Sequence, residues 1–297
     1  MKTKIRKAII PTAGLGTRFL PVTKTVPKEM LPIIETPSIL LIVEEAVRAG
    51  IEDIVLITGR NKTAIEDFFD RSYELEDTLL KTNKPELLER ITRVQNLANV
   101  ISIRQKRALG LGHAVLTGAP VVGAEPFAVL LGDELMVTPE GEATVTGQLC
   151  DAYQKTGLST VAVMEVDESE LHKYGVIGYS EHHEGIYKVS TVVEKPEPGT
   201  APSQLALPGR YVFDHQLFAH LKEIKPGRNG ELQLTDAMNL LARGPGLCAT
   251  HFRGTRYDAG DKLGFLIANV EFGACHSEIG PAFRKYLKKF TQTLNSP

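Results

Sequence analysis

A short apolar run, Ala8-Ile9-Ile10-Pro11, leads directly into Ala13-Gly14-Leu15-Gly16-Thr17-Arg18, and Lys28 follows in the same stretch. Glycines in a loop after a strand let backbone N–H groups approach phosphate oxygens with no Cβ in the way. Arg18 and Lys28 add charge that can pair with a polyphosphate. Two commoner phosphate motifs do not fit. A dinucleotide fingerprint needs a third glycine and then a helix, but Phe19 and Pro21 stand there. A P-loop needs Gly-Lys-Ser/Thr, and here Gly16-Thr17-Arg18 occupies that place. Pro21 and Pro27 favour a long extended loop over a helix start. Taken alone, the glycines also suit a surface turn carrying incidental basic residues.

A second chemical feature is Asp133, which follows the apolar run Phe127–Leu131 and Gly132. Ligands of open α/β sheets bind outside the carboxyl ends of strands, and Mg²⁺ takes one or two protein carboxylates plus phosphates and waters. A turn aspartate capping the next element has the same appearance. The histidines point to no chemistry: His113 reads as structural, and His182 and His183 as part of a polar turn. No Ser-His-Asp order with a nucleophile elbow is present.

The elements that must position these residues alternate. Residues 8–11, Asp53–Ile57, Val100–Arg104 and Phe127–Leu131 read as buried strands, being short apolar runs bounded by turn signals. Ile39–Ala49 reads as a helix, with Leu40, Val43, Ala46 and Val47 on one face and Gly50 as its stop. Lys62–Phe69 and Gly112–Gly118 read as further helices. This alternation implies a sheet covered on both faces. Beyond about residue 157 the chain becomes richer in strands: Thr160–Glu165, Val176–Tyr179, Ile186–Glu194 and Tyr211–Phe213. Helices are expected near 232–241, 262–272 and 281–290. Residues 71–99 read as a charged surface insertion, and residues 195–208 as a proline-rich loop.

Composition narrows the class. The 297 residues are 42% hydrophobic and 24% charged, the profile of a soluble globular chain. A net charge of -2, from 34 basic and 36 acidic side chains, lacks the basic footprint of nucleic-acid binding. The apolar run near the start is broken by Pro11 and Gly14 and is too short for a secretory leader. No stretch approaches the roughly 18–20 apolar residues that span a bilayer, so no membrane partner is expected. Cys150, Cys248 and Cys275 are far apart and odd in number, which fits reduced thiols in the cytoplasm.

The segment GLGTRFLPVTKTVPKEMLPI, residues 14–33, closely resembles the nucleotide-binding signature of bacterial UTP–glucose-1-phosphate uridylyltransferases, of the nucleotide-diphospho-sugar transferase fold. Further segments match in the family's order, from residue 5 to about 290. Gln105 and Leu109–Ala114 resemble the base-recognition segment. A glutamine amide offers both donor and acceptor to a pyrimidine edge. Tyr174–Gly178 and Val193-Glu194-Lys195-Pro196 resemble the sugar-phosphate side of the pocket, and Gly209–Val212 follows at the family spacing. Asn229–Ala237 resembles the family's GEIQLTDA helix, and Tyr257–Gly264 a C-terminal segment whose aspartate, here Asp258, is a second metal ligand in related enzymes. Gly132 departs from the proline more often found there.

The resemblance implies an α/β fold: a Rossmann-like three-layer α/β/α sandwich with a mixed, mostly parallel central sheet. It implies one domain over residues 1–297, with a nucleotide-binding half to about 157, a sugar-phosphate half over about 158–260, and C-terminal helices over about 261–297. It implies nucleotide contacts from Ala13, Gly14, Leu15, Gly16, Thr17, Glu29, Gln105, Gly110 and Gly112, and sugar contacts from Gly178, Glu194 and Val212. Arg18, Lys28 and Lys195 are the expected catalytic cations, and Asp133 with Asp258 the ligands of Mg²⁺. The implied reaction joins UTP to glucose 1-phosphate, giving UDP-glucose and pyrophosphate. A phosphate monoester is already largely dianionic near neutral pH, with a second pKa of about 6, and needs no general base. The chemical difficulty is bringing two polyanions into line. Family members are usually dimers or tetramers, so a homodimer or homotetramer is expected. A thymidylyltransferase, a catalytically silent nucleotide sensor and an oxidoreductase are the alternatives. They separate on UTP against dTTP, on pyrophosphate release, and on the missing third glycine.

Overall fold

A computed structural model describes residues 4–227 and 230–294. Its main sheet has ten strands: β1 (Lys7–Pro11), β2 (Asp53–Thr58), β3 (Asn99–Arg104), β4 (Phe127–Leu130), β5 (Ser159–Glu165), β6 (Gly175–His183), β7 (Ile186–Glu194), β8 (Leu205–Ala206), β9 (Arg210–Phe213) and β10 (Leu247–His251). The spatial order is β8-β6-β7-β10-β5-β9-β4-β1-β2-β3.

The sheet is mixed. The expected parallel majority holds only in its N-terminal part, where β1 pairs with β2 and β4, and β2 with β3. In the other half only β5–β10 is parallel. There β9 runs antiparallel between β4 and β5, and β6, β7, β8 and β10 add antiparallel pairings. The cause is local. The β6–β7 connection is only Glu184-Gly185, both at positive φ (49° and 79°), and a two-residue hairpin of this kind forces antiparallel pairing.

Strand parity builds the two cores. Ile9, Val55, Ile57, Val129, Val161, Tyr211 and Phe213 face one helical layer. Ala8, Ile10, Ile54, Leu56, Ala128, Leu130, Ala162 and Val212 face the other, where the Ser38–Arg48 and Val145–Thr156 helices pack. All four residues of β4 are buried, as a strand covered on both faces requires. The charged insertion forms two mostly exposed helices, Tyr73–Lys81 and Pro85–Gln95.

Two features differ from expectation. His182 and His183 end β6, and His182 stacks on Tyr187 with ring centroids 4.0 Å apart. The proline-rich loop contains β8, which pairs with β5 and β6. Among the described residues no helix is long and apolar enough to cross a membrane. The cysteines are free thiols, with Cys150 and Cys248 buried and Cys275 exposed.

Candidate active site

The glycine loop leaves the carboxyl end of β1, and Asp133 follows the carboxyl end of the adjacent β4. A two-stranded ribbon outside the main sheet then delivers a second carboxylate. Glu134–Val137 pairs antiparallel with Thr255–Asp258, with Asp258 opposite Glu134. The Ala259 N–H donates to the Asp133 carbonyl at 2.9 Å, fastening the end of the ribbon. Asp261 caps the following helix, Lys262–Cys275, by accepting from the Leu263 and Gly264 N–H groups, an arrangement worth about 1 kcal/mol.

These elements wall a cavity of about 800 Å³ lined by Arg18, Asp133, Glu194, Lys195 and Asp258, among others. Residues from widely separated parts of the chain therefore share one space. Lys28 reaches it through Asp133: its ammonium is 2.5 Å from Oδ2. Burial works against both charges. The Asp133 and Glu29 carboxylates nevertheless hold the Lys28 ammonium above its usual range, and Lys28 with Arg18 holds Asp133 below the usual carboxylate range. Arg18 Nη1 donates to the Gly260 carbonyl at 3.2 Å.

The space between the two aspartates fits a small cation. A Cβ on Gly260 would lie 2.8 Å from Asp133 Oδ2 and 3.0 Å from Asp258 Oδ1, so only glycine leaves both carboxylates unobstructed. Among the described residues no group of three or more His, Cys, Asp or Glu side chains forms a metal cage. Two carboxylates beside a cavity large enough for a nucleotide and a sugar phosphate suit Mg²⁺, which keeps several waters and takes few protein ligands.

Lys195 has φ +46°, uncommon for a residue with a Cβ. Its N–H donates to the Tyr174 carbonyl at 2.9 Å, which ties the strained residue to the cavity wall. Glu194 Oε1 lies 3.7 Å from Lys195 Nζ.

The nucleotide segments lie less directly on this cavity. Gly14, Leu15 and Thr17 are exposed, Ala13 and Gly16 half-buried, and Gly16 takes the left-handed φ of +65°. Gln105 is buried, and its amide contacts His113 Nδ1 at 2.8 Å and donates to the Gly110 carbonyl at 3.3 Å. Gly110 and Gly112 pack under Glu231–Gln233, where added Cβ atoms would meet Glu231 and the Leu232 carbonyl at 2.8 Å. Leu111, between those glycines, lines the cavity. Asn229 lies outside the described residues.

Three expected contacts are corrected. Val212 is fully buried in the core beneath the Val145–Thr156 helix, and its neighbour Tyr211 lines the cavity instead. The two side chains leave β9 on opposite faces, so the expectation was off by one residue. Gly178 packs where a Cβ would sit 2.7 Å from Thr191 Cγ2, away from the cavity, and Gly175 lines it. The Glu29 side chain is buried in an ion pair with Lys62 at 2.7 Å. Burial raises its pKa despite Lys62 and Lys28, and the pair anchors the loop from below.

Tyr174 lines the cavity, within a segment expected there, whereas Tyr211, Thr235 and Arg256 line it without having been singled out from sequence. Arg256 forks onto Glu134 at 2.6 and 2.7 Å, reaches Asp258 Oδ2 at 3.3 Å, and lies 5.1 Å from the Tyr174 ring centroid. Burial pushes Glu134 up to about 7, with Arg256 pulling the other way. The only sequence sign of this network was a charged residue two positions before Asp258.

The nucleotidyl transferase family model matches residues 7–272. The chain is 51% identical over 276 residues to a UTP–glucose-1-phosphate uridylyltransferase of Bacillus subtilis, covering 93% of this chain and 94% of that protein. A crystal structure of UDP-glucose pyrophosphorylase complexed with UDP-glucose superposes with TM-score 0.83 at 44% identity, covering 90% of this chain and 98% of the other. The UTP-bound enzyme of Acinetobacter baumannii gives TM-score 0.87 at 38% identity, covering 95% and 98%.

Proposed function

The chain belongs to the nucleotidyl transferase family, and from that premise and the cavity's chemistry we propose that it transfers the uridylyl group of UTP to glucose 1-phosphate. The products are UDP-glucose and pyrophosphate. The observation that carries the reading is the convergence of Arg18, Lys195, Asp133 and Asp258, from distant parts of the chain, on one cavity. This matches the demand of the reaction, in which mutually repelling anions must be held in line.

Arg18 and Lys28 pair with the triphosphate and the leaving pyrophosphate. Lys28 exchanges its present partner, the Asp133 carboxylate, for phosphate oxygens. Lys195, exposed at the cavity wall beside Glu194, brings in the attacking phosphate, and Glu194 accepts hydrogen bonds from sugar hydroxyls. Asp133 and Asp258 would hold Mg²⁺, which would neutralise charge on the phosphates. Attack is in line on the α-phosphorus, with no covalent enzyme intermediate. The nucleotide is held mainly by residues up to about 157, and the sugar phosphate mainly by about 158–260.

The action is cytoplasmic, in keeping with thiols that are all free. Assembly is as a homodimer or homotetramer. The exposed Tyr286, Phe290 and Leu294 recur every fourth residue along Gly280–Leu294 and give that helix an apolar stripe suited to a partner. Pyrophosphate release across UTP, dTTP and other nucleotides, with glucose 1-phosphate and other sugar phosphates, tests the reading. Turnover with dTTP but not UTP would overturn it.

A further inference from the structure

Among the described residues the largest fully buried side chain is a charged one, Arg210. It starts β9, opposite Leu130 of β4. Its Nε donates to Glu45 Oε1 and Oε2 at 3.2 and 3.0 Å, and Nη2 donates to Oε2 at 2.8 Å. The remaining guanidinium hydrogens reach backbone. Nη1 donates to the Leu131 carbonyl at 3.4 Å and the Gly209 carbonyl at 3.2 Å, and Nη2 to the Glu134 carbonyl at 2.5 Å. Leu131 and Glu134 bracket the turn that carries Asp133. One rigid guanidinium fork therefore grips both ends of that turn.

Glu45 holds the fork. It is 1% exposed, and its Oε1 also accepts from the Thr146 N–H at 3.1 Å and the Thr146 hydroxyl at 2.8 Å. Glu45 lies on the Ser38–Arg48 helix, whose first residue is bonded to the loop bearing Lys28. The Ser38 N–H donates to the Leu31 carbonyl at 3.2 Å, and its hydroxyl to the Glu29 carbonyl at 3.0 Å. The buried pair thus ties the lysine loop and the aspartate turn to one frame.

A buried ion pair seldom stabilises a fold more than apolar side chains of similar volume would, because desolvating two charges offsets their attraction. Stability alone is therefore a weak reason for this one. We infer that Arg210 is a positioning residue of the active site. It acts through the Leu131 and Glu134 carbonyls to fix the direction of the Asp133 carboxylate, and with it the affinity for a divalent cation. A lysine could pair with Glu45, but it has no planar fork to span both carbonyls. The inference rests on Asp133 being a metal ligand.

The test uses the full chain with UTP and Mn²⁺, following free Mn²⁺ by its electron paramagnetic resonance signal. The double variant Glu45→Met/Arg210→Met replaces the pair with apolar side chains of similar length. It should fold, judged by circular dichroism and thermal melting, yet bind Mn²⁺ about 10–100-fold more weakly, the usual effect of removing support behind a metal ligand. Its KM for glucose 1-phosphate should stay within about two-fold, as outer-shell support acts on the metal rather than on substrate binding. A folded double variant with unchanged Mn²⁺ binding overturns the inference. If the double variant does not fold, Arg210→Lys decides alone: the same weakening supports positioning, and unchanged Mn²⁺ binding overturns it. Asp133→Ala separates the premises. If that variant weakens Mn²⁺ binding while the Arg210 variants do not, only the positioning role fails. If it leaves Mn²⁺ binding intact, the metal reading fails as well.

Discussion

Replacing Gly260 with alanine adds a single methyl group between the two aspartates, and the structure sets the size of the effect. The new Cβ would lie 2.8 Å from Asp133 Oδ2, 3.0 Å from Asp258 Oδ1 and 3.2 Å from Asp133 Cγ, whereas ordinary contact begins at 3.4 Å. Gly260 is absent from the glycines at positive φ, so its backbone accepts alanine and the whole cost falls on the carboxylates. Relief requires them to move apart by a few tenths of an ångström, at an overpacking cost of about 1–3 kcal/mol. Mg²⁺ demands near-ideal octahedral geometry at about 2.0–2.1 Å and tolerates such displacement poorly. The Mg²⁺ concentration for half-maximal pyrophosphate release should therefore rise by about 10–100-fold. The melting temperature should fall by roughly 2–12 °C, at about 2–4 °C per kcal/mol. The assay is pyrophosphate release at saturating UTP and glucose 1-phosphate, titrated with Mg²⁺, beside a melt of the same sample. An unchanged half-activation point would refute the placement of the cation between these side chains.

Lys195→Ala should lower turnover by on the order of 10²–10³, the usual loss for a group that stabilises developing charge, while leaving UTP affinity nearly unchanged in a calorimetric titration. Loss of UTP binding would contradict its assignment to the sugar phosphate. Val212→Ala should cost about 1–3 kcal/mol in urea unfolding as a core cavity and leave the KM for glucose 1-phosphate unchanged. A raised KM would return Val212 to the sugar site. Lys62→Met strands Glu29 as an unpaired buried charge, costing about 3–5 kcal/mol at neutral pH. Glu29 already titrates above its ordinary 4.5 in the folded chain because of burial. A folded-state value raised above the unfolded one means that this contribution to stability is full below about 4.5 and is lost as pH rises through the folded value. The defect of Lys62→Met should therefore shrink on acidification, and a defect independent of pH would argue that the loss is one of packing.

Most of the parallel part of the fold was legible because its signals are local. β4 is four apolar residues, Phe127–Leu130, with Gly132 two positions beyond, and β2 is an apolar run after Asp53. Runs covered on both faces carry no competing pattern. The Val145–Thr156 helix was not expected: Gly147 and the β-branched Val145 and Thr146 blur its periodicity, although Thr144 caps it by accepting from the Gly147 N–H. β10, Leu-Cys-Ala-Thr-His, has neither a continuous apolar run nor alternation to mark it. It exists because β5 and β7 supply edges on either side of it.

The same distinction runs through the site. Arg18 and Lys28 stood out because they share the long loop after β1, whose glycines and prolines advertise it, and Asp133 because it follows the end of β4. Tyr211 was not, because choosing between it and Val212 depends on parity. A one-residue shift in β9 changes the face on which every side chain falls, and no spacing within Gly209–Val212 reveals which face looks into the cavity. Arg256–Glu134 and Arg210–Glu45 were more remote still, at sequence separations of 122 and 165. The first pair is created by the register of an antiparallel ribbon, and the second by the insertion of β9 between β4 and β5. Both are products of topology: Arg256 holds the Glu134 and Asp258 carboxylates at the cavity wall, and Arg210 holds the backbone on either side of Asp133. Motif reading finds the groups expected at phosphate because such groups sit in recognisable loops. The groups that aim them need only to arrive from elsewhere in the fold, and their sequence surroundings are correspondingly plain.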